Sequence, residues 1–480
     1  MEDNYKLSGR SKLSYALGAV GKDMVYMLSA SYVLYYFQDL LGVSAVAMGI
    51  ILMAARVFDA FNDPIMGVIV AKTKTRWGKF RPWLLIGTVT NAIVLFLMFA
   101  APPKLDGAGL TAYAAIFYIL WGVTYTMMDI PYWSMIPAFT KGGKERENLT
   151  TLARTCAGVG SAIITIATMA VVPMLGKMFG GVEGNAGEIV GFKYFSLIIA
   201  ALFVLFTVLM CINIKEKSTA EMKIAGVGEM FRALVQNDQA MTVTLTIVLI
   251  NMSIYITSNL VIYFFKYDFG GTGWNNAYVL FNMFGGAIQV LSMMLFYPLL
   301  RKKYTSLQIF YICLAMAVIG YAVLLLLAFT NMSSVFVLFV PAFFIFAANG
   351  MLTVITTVFL ANTVDYGELK NDRRDESVIF SMQTFVVKLA SGVAALVASI
   401  CLSVNHLQSG TEVSDADKLV DWSLGVAQSA KTGLRMTMAV IPIIGLIIAF
   451  FWFKKKFILN EEKVAEITAA VQAKHAKQEA

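Results

Sequence analysis

The chain has 480 residues, 58% hydrophobic and 14% charged, with a mean hydropathy of +0.71. Soluble domains carry about a quarter of their residues as charges, so a water-soluble fold is excluded. Four cysteines without a CxxC spacing exclude a disulfide-stapled secreted domain. The net charge of +8 is no nucleic-acid footprint, because the basic residues fall between apolar runs in a regular alternation.

Met1 to Lys12 is polar and basic, and the first apolar run is too long for the core of a leader, so no cleavable signal is expected. Twelve apolar segments follow, at about 14–37, 45–71, 82–101, 110–138, 150–175, 190–213, 241–266, 275–300, 306–329, 334–363, 377–404 and 431–454. A helix of about 20 apolar residues crosses a bilayer. The chain therefore reads as an all-α polytopic membrane protein with twelve transmembrane helices. Alternate connections are basic: Lys72, Lys74, Arg76, Lys79 and Arg81 after segment two; Lys141, Lys144 and Arg146 after four; Arg301, Lys302 and Lys303 after eight. The intervening loops hold few, such as Lys104 and Lys177. The positive-inside rule then places both termini in the cytoplasm. The longest basic connection, 214–240, divides the segments into two six-helix halves, 1–213 and 241–454, with a tail over 455–480. From Glu461 that tail reads as a solvated helix or a disordered segment.

Segment one carries Lys22 and Asp23, either a functional pair or a pair that snorkels to the interface. Segment two carries Arg56, Asp59, Asn62 and Asp63, which share one helix face. An ionisable residue there costs about 2.5–3.5 kcal/mol on insertion scales, so two carboxylates on one stripe point to a cation, a metal ion or a proton. In segment four, Tyr125, Thr126, Asp129 and Trp133 recur at helical spacing. Together they offer an aromatic ring, hydroxyls and a carboxylate. That mixture suits a sugar, whose C–H face stacks on an indole while its hydroxyls bond a carboxylate.

Arg154, in segment five, is suited to vicinal hydroxyls, to a carboxylate such as Asp23 or Asp129, or to the interface. Segment eleven adds Thr384 and Lys388 to the candidate substrate-binding set, and a lysine in mid-run calls for a carboxylate partner. Past segment ten, Asp365, Glu368, Arg374 and Glu376 read as a gating or salt-bridge network between the halves, or as ordinary surface charge. The two histidines, His406 and His475, lie outside the apolar segments, and HExxH, GxSxG and P-loop patterns are absent. Neither an enzyme nor a bound cofactor is expected.

Several motifs carry a resemblance that covers nearly the whole chain. They are Lys-Leu-Ser-Tyr-Ala-Leu-Gly-Ala-Val-Gly-Lys-Asp at 12–23, Ala-Arg-Val-Phe-Asp-Ala-Phe-Asn-Asp-Pro-Ile-Met-Gly at 55–67 and Arg-Trp-Gly-Lys-Phe-Arg-Pro-Trp at 76–83. Stretch 119–134, Asn-Asp-Gln at 237–239, Val-Asp-Tyr-Gly-Glu at 364–368 and Gln-Thr-Phe-Val-Val-Lys at 383–388 complete the set. The sequence resembles the glycoside–pentoside–hexuronide:cation symporters, most of all the melibiose permease branch. The resemblance implies a major facilitator fold, in keeping with the six-and-six division. It also implies cation-coupled sugar uptake by alternating access. By this likeness Asp59, Asn62, Asp63 and Thr126 bind the coupling cation, and Lys22, Asp23, Asp129, Trp133 and Arg154 bind sugar. Lys388 matches a lysine beside the cation site.

Na⁺ is favoured over Li⁺ or H⁺ because Asn62 adds a neutral oxygen. The expected cargo is an α-galactoside such as melibiose or a related di- or oligosaccharide. Thr353 stands where the melibiose permeases carry a tryptophan, which leaves melibiose itself open. A β-glucuronide or pentoside is the alternative; a lysolipid carrier or a non-transporting sensor fits less well. The expected partners are a sugar, a monovalent cation and the lipid bilayer of a bacterial inner membrane. The chain is expected to be a monomer that binds no nucleic acid.

Overall fold

The computed structural model describes residues 7–140, 143–181, 184–216, 232, 234–330, 332, 334–372, 375–407 and 421–479. Its first six helices are α1 (Gly9–Leu34), α2 (Ala45–Lys72), α3 (Arg81–Met98), α4 (Gly107–Phe139), α5 (Gly143–Gly180) and α6 (Asn185–Asn213). After them come α7 (Asp238–Phe264), α8 (Trp274–Leu291), α9 (Ser306–Thr330), α10 (Val335–Asn371), α11 (Glu376–Val404), α12 (Gln428–Lys456) and α13 (Glu461–Glu479). Short π segments extend α1, α7 and α8. Among the described residues, ten helices are long and apolar enough to cross a membrane. The long helices α1 and α2 carry charges within their length: Lys22 and Asp23, and Arg56, Asp59 and Asp63. Every one of the twelve expected apolar segments falls on a helix.

Three expectations shift at the polar ends. α5 begins at Gly143, so Arg146 stands on its first turns and not in a connection. α10 runs on to Asn371 and takes Asp365 and Glu368 onto its last turns. Helices satisfy their own backbone, so they continue past the apolar run wherever side chains find partners. The tail forms α13, and Ile467 and Val471, one turn apart, are buried.

The chain forms two compact units. The first joins Met1–Asn237 to Leu360–Phe385 and Val464–Ala480. In it α1 packs on α5 and α6, α2 on α4, and α3 on α4 and α6. A β-carbon on Gly87 of α3 would lie 2.8 Å from the Met128 backbone nitrogen, so glycine sets how closely α3 approaches α4. The second unit comprises Asp238–Phe359 and Val386–Lys463, with α12 packed against α7 and α9.

Candidate functional site

The first cluster joins α1, α4 and α5. Lys22 is only 4% exposed, which rules out snorkelling. Its ammonium lies 2.8 Å from Asp129 Oδ1 and 3.2 Å from Asp23 Oδ2, and donates to the Tyr125 hydroxyl at 3.1 Å. The Trp133 indole N–H donates to the same Asp129 Oδ1, at 3.1 Å. The Arg154 guanidinium stacks 3.7 Å from the centre of the Trp133 ring. Two acids and two bases thus balance one another, which makes the burial of each tolerable. α4 supplies Tyr125, Asp129 and Trp133 as a stripe one residue per turn. Below them Tyr15 and Tyr132 lock α1 to α4. Each hydroxyl donates to the other's carbonyl, at 2.5 and 2.9 Å, and the rings stack at 4.5 Å.

A second cluster joins α2 and α4. The Thr126 hydroxyl donates to Asp63 Oδ1 at 3.0 Å, and both residues are buried. Asp59, one turn earlier on α2, lies against Gly122, one turn earlier on α4. Asn62 is half-buried beside them in sequence, and its amide nitrogen has no hydrogen-bond partner among the described residues. Carboxylate, hydroxyl and amide groups are oxygen donors of the kind that hard cations prefer. The carboxylates sit four apart on α2, and Gly122 and Thr126 sit four apart on α4, so the facing stripes match.

The remaining described sequence candidates stand on α10 and α11. The Thr384 hydroxyl is bonded to the Phe380 carbonyl. Lys388 is half-buried on α11 in the second unit. Asp365 pairs with Arg146 at 2.8 Å, and Arg146 also donates to the Ala361 carbonyl, Asn362 and Thr140. Glu376, fully buried, pairs with Lys79 at 3.0 Å. The Glu368 carbonyl accepts from Lys474 of α13. Arg374 lies outside the described residues.

Sequence reasoning passed over the partners in this network. Arg146 and Lys79 looked like topology charges. Glu216 went unnoticed, yet its carboxylate accepts from the backbone N–H groups of Lys79, Phe80 and Arg81 at 2.7–3.0 Å and so caps α3. Asp268 and Arg435 of the second unit form a buried bidentate pair at 2.6 and 2.7 Å. An arginine inside the apolar run of segment twelve was the available signal. The second unit also contains a cavity of ≈ 90 Å³ whose lining includes Thr257, Tyr278, Asn282, Tyr321, Phe346 and Asn349.

The family model described as "MFS/sugar transport protein" matches residues 14–459. The raffinose carrier protein of Pediococcus pentosaceus is 26% identical over 98% of this chain and 72% of its own. The isoprimeverose transporter of Lactiplantibacillus pentosus is 26% identical over 98% of this chain and 92% of its own. A lactose permease of Lactobacillus delbrueckii subsp. bulgaricus is 27% identical over 95% and 71%. Among solved structures, the E. coli fucose:proton symporter superposes with a TM-score of 0.66 at 12% identity, over 94% of this chain and 98% of that one. The proton:xylose symporter gives 0.65 at 14% identity, over 95% and 98%. These two likenesses establish the fold.

Proposed function

Because the chain belongs to the MFS/sugar transport family, whose members are membrane transporters and not enzymes, we propose that it imports a glycoside by cation-coupled symport. The observation that carries this reading is the double use of α4. Thr126 bonds the α2 carboxylate Asp63, and Tyr125 and Asp129, on the same turns, hold Lys22 of α1. A cation drawn between Asp59, Asp63, Asn62 and Thr126 fixes α2 against α4. The Asp129–Trp133 stripe is then set for a sugar. Hydroxyls of the sugar take over hydrogen bonds that Lys22 and Asp129 now make to each other, Arg154 adds donors beside them, and Trp133 offers its ring face.

Na⁺ is the cation this donor set favours. An α-galactoside di- or oligosaccharide is the preferred cargo, in line with a relative named for raffinose. Melibiose itself is left open by Thr353, and Thr384 and Lys388 of α11 are carried as further sugar-binding residues. The orientation follows the basic loops, with both termini cytoplasmic in a bacterial inner membrane. The Arg146–Asp365 and Lys79–Glu376 pairs act as the cytoplasmic gate between two six-helix halves, and the transporter works as a monomer. Coupling is reciprocal: at about 1–3 kcal/mol, sugar and cation each raise the other's affinity roughly 5–150-fold.

Uptake of labelled α-galactosides, β-glucuronides and pentosides into proteoliposomes tests this. An inward Na⁺ gradient is expected to drive α-galactoside accumulation that an inward K⁺ gradient does not. Accumulation of a glucuronide or pentoside alone would move the cargo, and accumulation of none would end the assignment.

A further inference from the structure

Gly122 occupies an unusual place on α4. A β-carbon there would fall inside contact distance of Asp59 Oδ1 and 3.0 Å from both Asp59 Cγ and Oδ2. All three atoms belong to the carboxylate at the tip of one side chain. Two glycines at helix contacts in this unit behave differently. Gly87 and Gly160 meet backbone atoms, of Met127 and Met128 and of Val20 respectively. Their role is helix spacing. At Gly122 the space is filled by a functional group instead. One turn on, α4 presents Thr126, which bonds the other carboxylate, Asp63.

We propose that Gly122 is a specificity-determining residue of the cation site. The missing β-carbon lets the Asp59 carboxylate lie against α4, at a set distance from the Thr126 hydroxyl and Asp63. This rests on the reading of Asp59, Asp63 and Thr126 as cation ligands. A methyl group at 122 forces the carboxylate to swing off α4 by about 1 Å to recover van der Waals separation. A metal ion held by several oxygens at fixed distances tolerates far less than that. The helix pair itself need not move, because the clashing atoms sit at the end of a side chain and not in the backbone. The displaced oxygen widens the site, so Li⁺, the smaller ion, loses more than Na⁺.

The test is the Na⁺ and Li⁺ dependence of galactoside binding to purified protein, in wild type, Gly122→Ala, Asp59→Ala and the double variant. Gly109→Ala is the control, since a β-carbon there makes an ordinary 3.5 Å contact with Leu105. Gly122→Ala is expected to raise half-saturating Na⁺ at least about tenfold and Li⁺ by a larger factor, with affinity in K⁺ held within about twofold. The double variant is expected to match Asp59→Ala in binding and in thermal unfolding, because the group that clashes is gone. Unchanged ion dependence in Gly122→Ala, with Asp59→Ala insensitive to Na⁺, overturns the role of Gly122 and leaves the cation site in place. Equal losses for both ions, or a double variant less stable than Asp59→Ala, assigns Gly122 to helix packing and overturns the proposal. Asp59→Ala that still responds to Na⁺ removes the cation site and the proposal together.

Discussion

The two units bury charge in different ways. The first buries Lys22, Asp63, Arg146, Glu147, Asp365, Glu368, Asp375 and Glu376; the second, among its described residues, buries Lys266, Asp268 and Arg435. The Asp268–Arg435 pair is closed: both carboxylate oxygens take guanidinium donors, and the Asp268 side chain is 0% exposed. At Lys22 a single ammonium is divided between two carboxylates that keep 16–18% exposure. A planar fork on a carboxylate satisfies both groups and leaves little to trade. A point charge shared among several acceptors exchanges one partner for a ligand hydroxyl at small cost. Burial of charge in a membrane protein therefore has two meanings, a fastener and a site, and the sharing of donors separates them.

Removing one member of each arrangement tests that separation. Lys22→Ala leaves Asp23 and Asp129 without their ammonium, and is expected to weaken galactoside binding at least about 100-fold. Arg435→Ala is expected to destabilise the protein by about 3–5 kcal/mol through the stranded Asp268, with no change in the ratio of galactoside affinity in Na⁺ to that in K⁺. Denaturant titration and ligand titration on the same two variants read both quantities. If Arg435→Ala alters the ion response while Lys22→Ala leaves sugar binding intact, the assignment of fastener and site is reversed.

Glu216 sharpens the comparison from the first unit's own side, as a buried carboxylate used for fastening alone. Glu216→Ala strips three backbone N–H groups of their acceptor, and a loss of about 1–3 kcal/mol is expected, measured by thermal unfolding with bound sugar affinity unchanged. The smallest effect is expected from Trp133→Phe. It keeps a ring under Arg154 but deletes the indole donor to Asp129, worth about 0.5–1.5 kcal/mol, or roughly twofold to thirteenfold in galactoside affinity. A loss beyond about 100-fold would make the indole N–H a direct sugar donor.

What the chain disclosed by itself follows the same physics. Asp59 with Asp63, and Tyr125 with Asp129 and Trp133, stood out because polar groups at helical spacing are conspicuous in apolar runs. Lys22 was ambiguous in sequence, since a lysine near a helix start snorkels as readily as it pairs; its 4% exposure excludes snorkelling. Arg146 and Lys79 sit among other basic residues at polar helix ends, where topology alone accounts for them. Their partners, Asp365 and Glu376, lie 219 and 297 positions away. Asp268 and Arg435 are separated by 167 positions, and no local pattern links them. Gly122 reads as one small residue in a helix until the carboxylate beside it is placed.

The central claim is that α4 joins a cation site to a sugar site. The most direct measurement is galactoside binding to purified protein in Na⁺ against K⁺, for wild type and Asp59→Cys. The account predicts tighter binding in Na⁺ for the wild type, by roughly 5–150-fold, and no difference between the salts in Asp59→Cys. Equal wild-type affinity in both salts, or a Na⁺ effect that survives in Asp59→Cys, would contradict it.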